Sequence, residues 1–248
     1  MTNSLVLTDL DDTLFSTKSK CEGTDLVQAT NSGNGRHSYM DTTQRAFLKS
    51  LKSIGAVVPV TARGSASFDN VLVDFEHKGA ILANGAIIRN LDGEVDMDWF
   101  ETVKSISDKR ADDLKSLEEM IRQAHAPKVR LWIQHELDTP IYLVVKVNSE
   151  NLQNYDEAEN ILRTIKDEIA ATKYAQNCML HLNGNNLSIT PNGISKKAAV
   201  AYFMSHHFAD AQLTYGVGDS KTDMPFMSLC DVTVIPRKAQ ILNQINME

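Results

Sequence analysis

The run Ser4-Leu-Val-Leu-Thr8 carries no charge, and it stops abruptly at three carboxylates, Asp9, Asp11 and Asp12. A stretch so short and so apolar reads as a strand buried on both faces, the kind found in parallel sheets covered by helices. Its carboxyl end must then emerge into a polar site. Asp9 and Asp11 are two positions apart, so in extended backbone they share a face while Asp12 points away.

The rhythm that follows supports a parallel sheet. Residues 15–40 lose apolar periodicity and are rich in Ser, Thr, Asn and Gly, so a long loop or flap is expected there. Such a flap would close over a substrate, bringing Arg36 or His37 near the phosphate ester, or be disordered, or make a dimer contact. Asp41 with Gln44 three positions on is a capping-box start for a helix that Gly55 stops. Val57-Val-Pro-Val60 is the next buried strand. It ends in the polar turn Thr61-Ala62-Arg63-Gly64, and a helix over 67–75 is expected to follow. The segment 79–89 places two apolar strands around Asn84-Gly85, a hairpin signal compatible with a type I′ turn. From about 99 to 182 the pattern changes to helix (107–125), strands (128–135, 141–148), helix (156–171) and strand (179–182). After Leu187-Ser-Ile-Thr190, a helix opening at Gly193-Ile-Ser-Lys196 and a strand over 213–217 restore the first rhythm. The expected fold is therefore α/β, a Rossmann-like parallel-sheet core (1–90 and 186–248) interrupted by an inserted α+β domain (91–185).

With 248 residues and a net charge of −7, the chain lacks the broad basic surface that nucleic-acid binding uses. No apolar stretch approaches the roughly 20 residues that span a bilayer, and the opening residues lack the basic segment of a signal peptide. Cys21, Cys178 and Cys230 are odd in number and in no metal-ligand spacing, so they read as reduced thiols. Cytoplasmic residence is expected, as a monomer or homodimer with no membrane or nucleic-acid partner.

Every strand expected in the core ends in polar residues: Asp9 with Asp11, Thr61, and Asp219 with Asp223. Ligands of open parallel sheets sit at that edge. Several acids converging there repel one another unless a cation or a raised pKa relieves them. With no histidine or thiolate set beside them, the preferred cation is hard and oxygen-liganded, most simply Mg2+. The adjacent pair His206-His207 cannot chelate from one helical face. Arg130, Trp132, His135 and Lys146, alternating with apolar residues, could form either a substrate-facing or a solvated sheet surface.

In these residues the chain resembles the haloacid dehalogenase superfamily of phosphohydrolases. Four motifs occur in order as Asp9-Leu-Asp11-Asp12-Thr13, Thr61, Lys196, and Gly218-Asp219-Ser220-Lys-Thr-Asp223. The insertion between the second and third motifs resembles the type-C2 cap of the subgroup holding sucrose-, trehalose- and mannosyl-type phosphatases and phosphomannomutases. The resemblance implies Asp9 as nucleophile and Asp11 as general acid, then base. It implies that Thr61 hydrogen-bonds the phosphoryl group and that Lys196 balances charge between Asp9 and the phosphate; Ala62, Arg63 and Asn84 join Thr61 and Lys196 as substrate-binding candidates, Asn84 either orienting the backbone near the nucleophile or serving only its turn. Mg2+ would be held by Asp9, the backbone carbonyl of Asp11, and Asp219 with Asp223. Lys197 competes with Lys196, but the Gly-Ile-Ser-Lys spacing favours the latter. Asp12 stands where many members carry Gly, and Lys-Thr in the last motif also departs from the subgroup. The expected function is Mg2+-dependent hydrolysis of a small phosphate ester, a sugar phosphate, through an aspartyl-phosphate, with the cap supplying specificity. The alternatives are a phosphosugar mutase and a catalytically silent binding protein of the same fold.

Overall fold

A computed structural model describes residues 3–33, 35–148 and 155–245. The chain divides into two compact units, Met1–Phe100 with Lys196–Glu248, and Glu101–Ser195.

In the first unit β1 (Ser4–Thr8) is buried along its whole length. The segment expected to be a flap is instead folded. Its strands β2 (Ser16–Thr17), β3 (Val27–Gln28) and β4 (Ser38–Met40) pair antiparallel in the order β2-β4-β3. Phe15, Ala29 and Met40 bury themselves against Leu10 and Leu14, which anchors this small sheet to the end of β1. His37, considered as a substrate contact, accepts a hydrogen bond from Ser32 N at 3.2 Å. Asn34 lies outside the described residues. Strands of two or three residues show no alternation, which is why composition alone suggested a loop.

Helix α1 (Thr42–Ile54) starts with the complete Asp41–Gln44 capping box and lays Leu48 and Leu51 on the core. Strand β5 (Ala56–Pro59) then runs parallel to β1. The helix expected over 67–75 is only the single turn α2 (Ser65–Phe68). Val71 leaves helical geometry to bridge Thr30, and Leu72 N donates to Ala29 O at 2.8 Å. Tertiary pairing has overridden local propensity there. Strands β6 (Ala80–Leu82) and β7 (Ile87–Arg89) form the expected hairpin. The connection is not a two-residue type I′ turn. Four residues, 83–86, separate the last pair Leu82↔Ile87, and Ala83, Asn84 and Gly85 all take left-handed φ of 51°, 57° and 96°. An Ala in that region carries a steric cost that Gly escapes.

Helix α3 (Met97–Asp108) precedes α4 (Ala111–His125), so two helices occupy the region where one was expected. The second unit continues with β8 (Val129–Glu136), β9 (Thr139–Val147), α5 (Tyr155–Ala170), β10 (Cys178–Leu182) and β11 (Leu187–Pro191). Its antiparallel sheet has the order β10-β11-β9-β8. Alternate residues, Leu131, Leu143, Val145, Leu187 and Ile189, pack with Leu114, Leu117, Leu162 and Ile165 of α4 and α5 into a core of its own. Strand β11, which a boundary at 186 assigns to the first unit, is hydrogen-bonded on both sides within this sheet.

The first unit resumes with α6 (Lys196–His207), β12 (Leu213–Val217), α7 (Met224–Met227), β13 (Val232–Val234) and α8 (Gln240–Ile245). Its main sheet is parallel throughout, in the order β13-β12-β1-β5. Among the described residues no helix is long and apolar enough to cross a membrane.

Candidate active site

Strand β1 lies between β5, which follows it in the chain, and β12, which arrives from the far end of the sequence. The chain thus leaves β1 toward one side of the sheet and returns on the other. That reversal opens a crevice at the carboxyl end of β1, the position at which parallel sheets bind ligands. Asp9 is the residue there, its amide held by Val217 O at 2.9 Å.

The loops after β1 and β12 and the start of α6 bring four ionisable groups together. Lys196 Nζ lies 2.7 Å from Asp9 Oδ1 and 2.7 Å from Asp223 Oδ1. Asp223 Oδ2 accepts from Ser220 N at 3.1 Å and from Ser220 Oγ at 2.6 Å. Both Asp223 oxygens are therefore hydrogen-bonded, Oδ1 to Lys196 and Oδ2 to Ser220. Asp9, Asp219 and Asp223 each offer an oxygen within 4.8 Å of the others. Gly218 permits this approach, because a Cβ there would stand 2.5 Å from Asp223 Cβ.

Three buried carboxylates share one ammonium, and the protonation equilibria show the imbalance. Burial pushes Asp9 up to about 8 despite Lys196, with Asp223 adding to the rise. Burial and then Asp223 push Asp219 up to about 7. Burial acts on Asp223 too, but the Lys196 ammonium outweighs it and the net shift is downward. Desolvation of Lys196 is likewise overcome by Asp9 and Asp223, which hold it charged. Asp219 Oδ2 is buried without a hydrogen-bond partner. An orphaned carboxylate oxygen beside Asp9 is what a hard divalent cation satisfies, so the donor set fits such a metal.

Asp11 is turned elsewhere. Its carboxylate receives both arms of Arg63, Nε to Oδ2 at 2.8 Å and Nη2 to Oδ1 at 2.7 Å. The Arg63 guanidinium also lies over the Phe15 ring, 5.2 Å from its centroid. The side chain of Asp11 is thus outside the acidic cluster, and Arg63 is occupied by Asp11. Thr61 is buried after β5, and its Oγ1 accepts from Arg63 N at 3.1 Å. Asn84 N donates to Thr61 O at 3.1 Å, so the left-handed 83–85 connection braces the Thr61 turn, while Ala62 is exposed beside it.

Two contributors carried no role in the sequence reading. Thr13 Oγ1 lies 3.3 Å from Asp9 Oδ2 and 3.5 Å from Asp219 Oδ1, bridging the two acids. Ser220 fixes Asp223. The available signal for both was adjacency to a motif aspartate in a tight turn; Leu14 N returns to Leu10 O at 2.9 Å. Asp12 takes φ 61°, a left-handed conformation that explains why Gly suits this position, and Asp is among the few other residues that tolerate it. Of the histidine pair, His207 binds Asp96 at 2.9 Å and His206 stacks on Tyr202, so they do not act as one chelate.

A family model described as haloacid dehalogenase-like hydrolase matches residues 99–240. No curated protein matches the chain. Among solved structures it is similar to the sucrose-phosphatase of Synechocystis sp. PCC6803 in complex with sucrose and phosphate, at 15% identity and TM-score 0.60 over 99% of this chain and 88% of that one. It is also similar to the C-terminal domain of C. albicans trehalose-6-phosphate phosphatase, at 17% identity and TM-score 0.54 over 98% and 75% of the two chains. A third similar structure is IMP-bound, N-terminally truncated IMP-nucleotidase from Plasmodium falciparum, at 14% identity and TM-score 0.58 over 97% and 66%. At such identities the likeness is one of fold. With more than half its length matched by the family model, the chain belongs to the haloacid dehalogenase-like hydrolases.

Proposed function

We propose that this hydrolase is a Mg2+-dependent phosphomonoesterase of small phosphorylated metabolites, with a sugar phosphate as substrate and Asp9 as nucleophile. The observation that carries the reading is the cluster itself: Asp9 at the switch point of the sheet, with Lys196 at 2.7 Å and the unpartnered Asp219 oxygen beside it. Mg2+ would be held by Asp9 and Asp219, with Asp223 in support and the backbone of Asp11, and when bound it supplies positive charge that offsets repulsion between carboxylate and phosphate.

Asp9 attacks phosphorus, and the resulting aspartyl-phosphate divides one difficult displacement into two easier ones. Lys196, kept charged by Asp223, neutralises the phosphoryl oxygens. Thr61 accepts from Arg63 N, which leaves its hydroxyl proton for a phosphoryl oxygen. Asp11 protonates the departing oxygen and later takes a proton from water. Both of its oxygens accept from Arg63, so it must leave the guanidinium to do this. The sugar assignment is supported by similar structures named for sucrose phosphate and trehalose 6-phosphate. In this reading the second unit is the inserted domain that selects the substrate. Three free thiols accord with a reducing cytoplasm.

The test is phosphate release from a panel of sugar phosphates, with and without Mg2+, by the wild type and by Asp9→Asn. Turnover that requires Mg2+ and falls at least about 1,000-fold in the variant is expected. No release from any ester, or isomerisation that needs a bisphosphate activator, would sink the hydrolase assignment.

A further inference from the structure

The connection between β6 and β7 is bent in a way that costs an ordinary side chain, so it must be held from outside. Ala83 and Asn84 take φ of 51° and 57°, the left-handed backbone that crowds a Cβ against the following carbonyl. Backbone of this kind persists only where its surroundings over-determine it. Two restraints come from the turn after β5. Ala83 N donates to Arg63 O at 2.7 Å, and Asn84 N donates to Thr61 O at 3.1 Å. Each bond acts both ways, so the place of 83–84 also fixes the place of the Thr61 turn.

The third restraint is a side chain. Trp99, in the first turn of α3, donates its indole Nε1 to Gly85 O at 2.9 Å. A buried indole N–H needs an acceptor, but this one is also aimed. Asp96 Oδ1 accepts from Trp99 N at 2.9 Å and from Tyr202 Oη at 3.2 Å. The Tyr202 ring packs on the indole with centroids 5.0 Å apart, tilted by 45°. Trp99 is therefore fixed at its amide by Asp96 and along its ring by α6. All these residues belong to the first unit.

We propose that Trp99 is a positioning residue for the phosphoryl-binding turn. Its bond to Gly85 O holds the left-handed backbone in place, and the Asn84–Thr61 bond passes that restraint to the Thr61 hydroxyl. Trp99 acts through this backbone and not on the substrate. The inference rests on the phosphatase reading for the role of Thr61.

Trp99→Phe keeps a ring and removes the N–H. The Asn84 amide should then exchange its hydrogen at least about tenfold faster. For an ester that the wild type hydrolyses, kcat/KM should fall about tenfold, and the Kd of inorganic phosphate should rise about threefold or more. In a Thr61→Ala background the same substitution should change kcat/KM less than about twofold, because the group it positions is gone. A purely structural role would give one factor in both backgrounds. If circular dichroism shows that Trp99→Phe does not fold, Trp99→Met, whose flexible chain fills irregular space, carries the same measurements. Unchanged exchange at Asn84, unchanged kcat/KM, or equal losses in the two backgrounds would overturn the proposal. A wild type that releases no phosphate from any ester would instead sink the phosphatase reading, and the role of Thr61 with it.

Discussion

Asp219 is 4% exposed and keeps an oxygen without a partner, an arrangement that stability alone does not favour. Asp219→Asn removes the uncompensated charge. It should stabilise the metal-free protein by about 1 kcal/mol in urea unfolding, while abolishing any stabilisation by added Mg2+. If the variant responds to Mg2+ as the wild type does, Asp219 is not a ligand. The pH dependence has the same origin. Asp9 and Asp219 are raised from 3.8 to about 8 and about 7 by burial, so the folded chain binds protons that the unfolded chain has already released. Their contribution to stability is full below the unfolded value and is lost as pH rises through 7 to 8. Asp223, lowered, contributes in the opposite sense, but only as pH falls below the ordinary carboxylate range. In EDTA the urea midpoint should therefore fall between about pH 5.5 and about pH 8.5, and Mg2+ should flatten that slope. A midpoint that rises with pH in EDTA would contradict the assignment of protons to this cluster.

The element whose origin is clearest is α1. Asp41 Oδ1 accepts from Gln44 N at 2.9 Å, Gln44 Oε1 accepts from Asp41 N at 3.1 Å, and Asp41 Oδ2 accepts from Glu22 N at 3.1 Å. The same side chain thus starts the helix and ties down the segment before it. Asp41→Ala should cost about 1–2 kcal/mol in thermal unfolding and speed exchange of the Glu22 amide. Unchanged exchange at Glu22 would show that the segment is held by its small sheet alone. The capping box was readable because its partners are three positions apart. The β2-β4-β3 sheet was not, since its strands are too short for periodicity and are held by Phe15, Ala29 and Met40 reaching the core. Residues 69–73 went astray for a related reason: their helical pattern lost to pairing with Ala29 and Thr30.

At the scale of the molecule, each unit has a core of its own, and in the second Leu162 is fully buried among α4, α5 and the sheet. Leu162→Ala should cost about 2–5 kcal/mol. Hydrogen exchange should accelerate across 101–195 while the parallel sheet of the first unit keeps its protection. Equal loss of protection in both units would mean that they unfold as one.

By itself the sequence determined what is local: the buried strand that ends in Asp9, the cap of α1, the change of rhythm near residue 99, and four motifs in order. These rest on periodicity and on partners a few residues apart. Only the tertiary structure decided which groups meet. Lys196 reaches Asp9 across 187 positions and Arg63 reaches Asp11 across 52, and both contacts depend on the strand order around β1. The same order leaves Asp223 holding Lys196, and Asp219 with an open oxygen. Which carboxylates are paired and which await a cation is a property of side chains converging from distant segments, and no spacing in the chain encodes it.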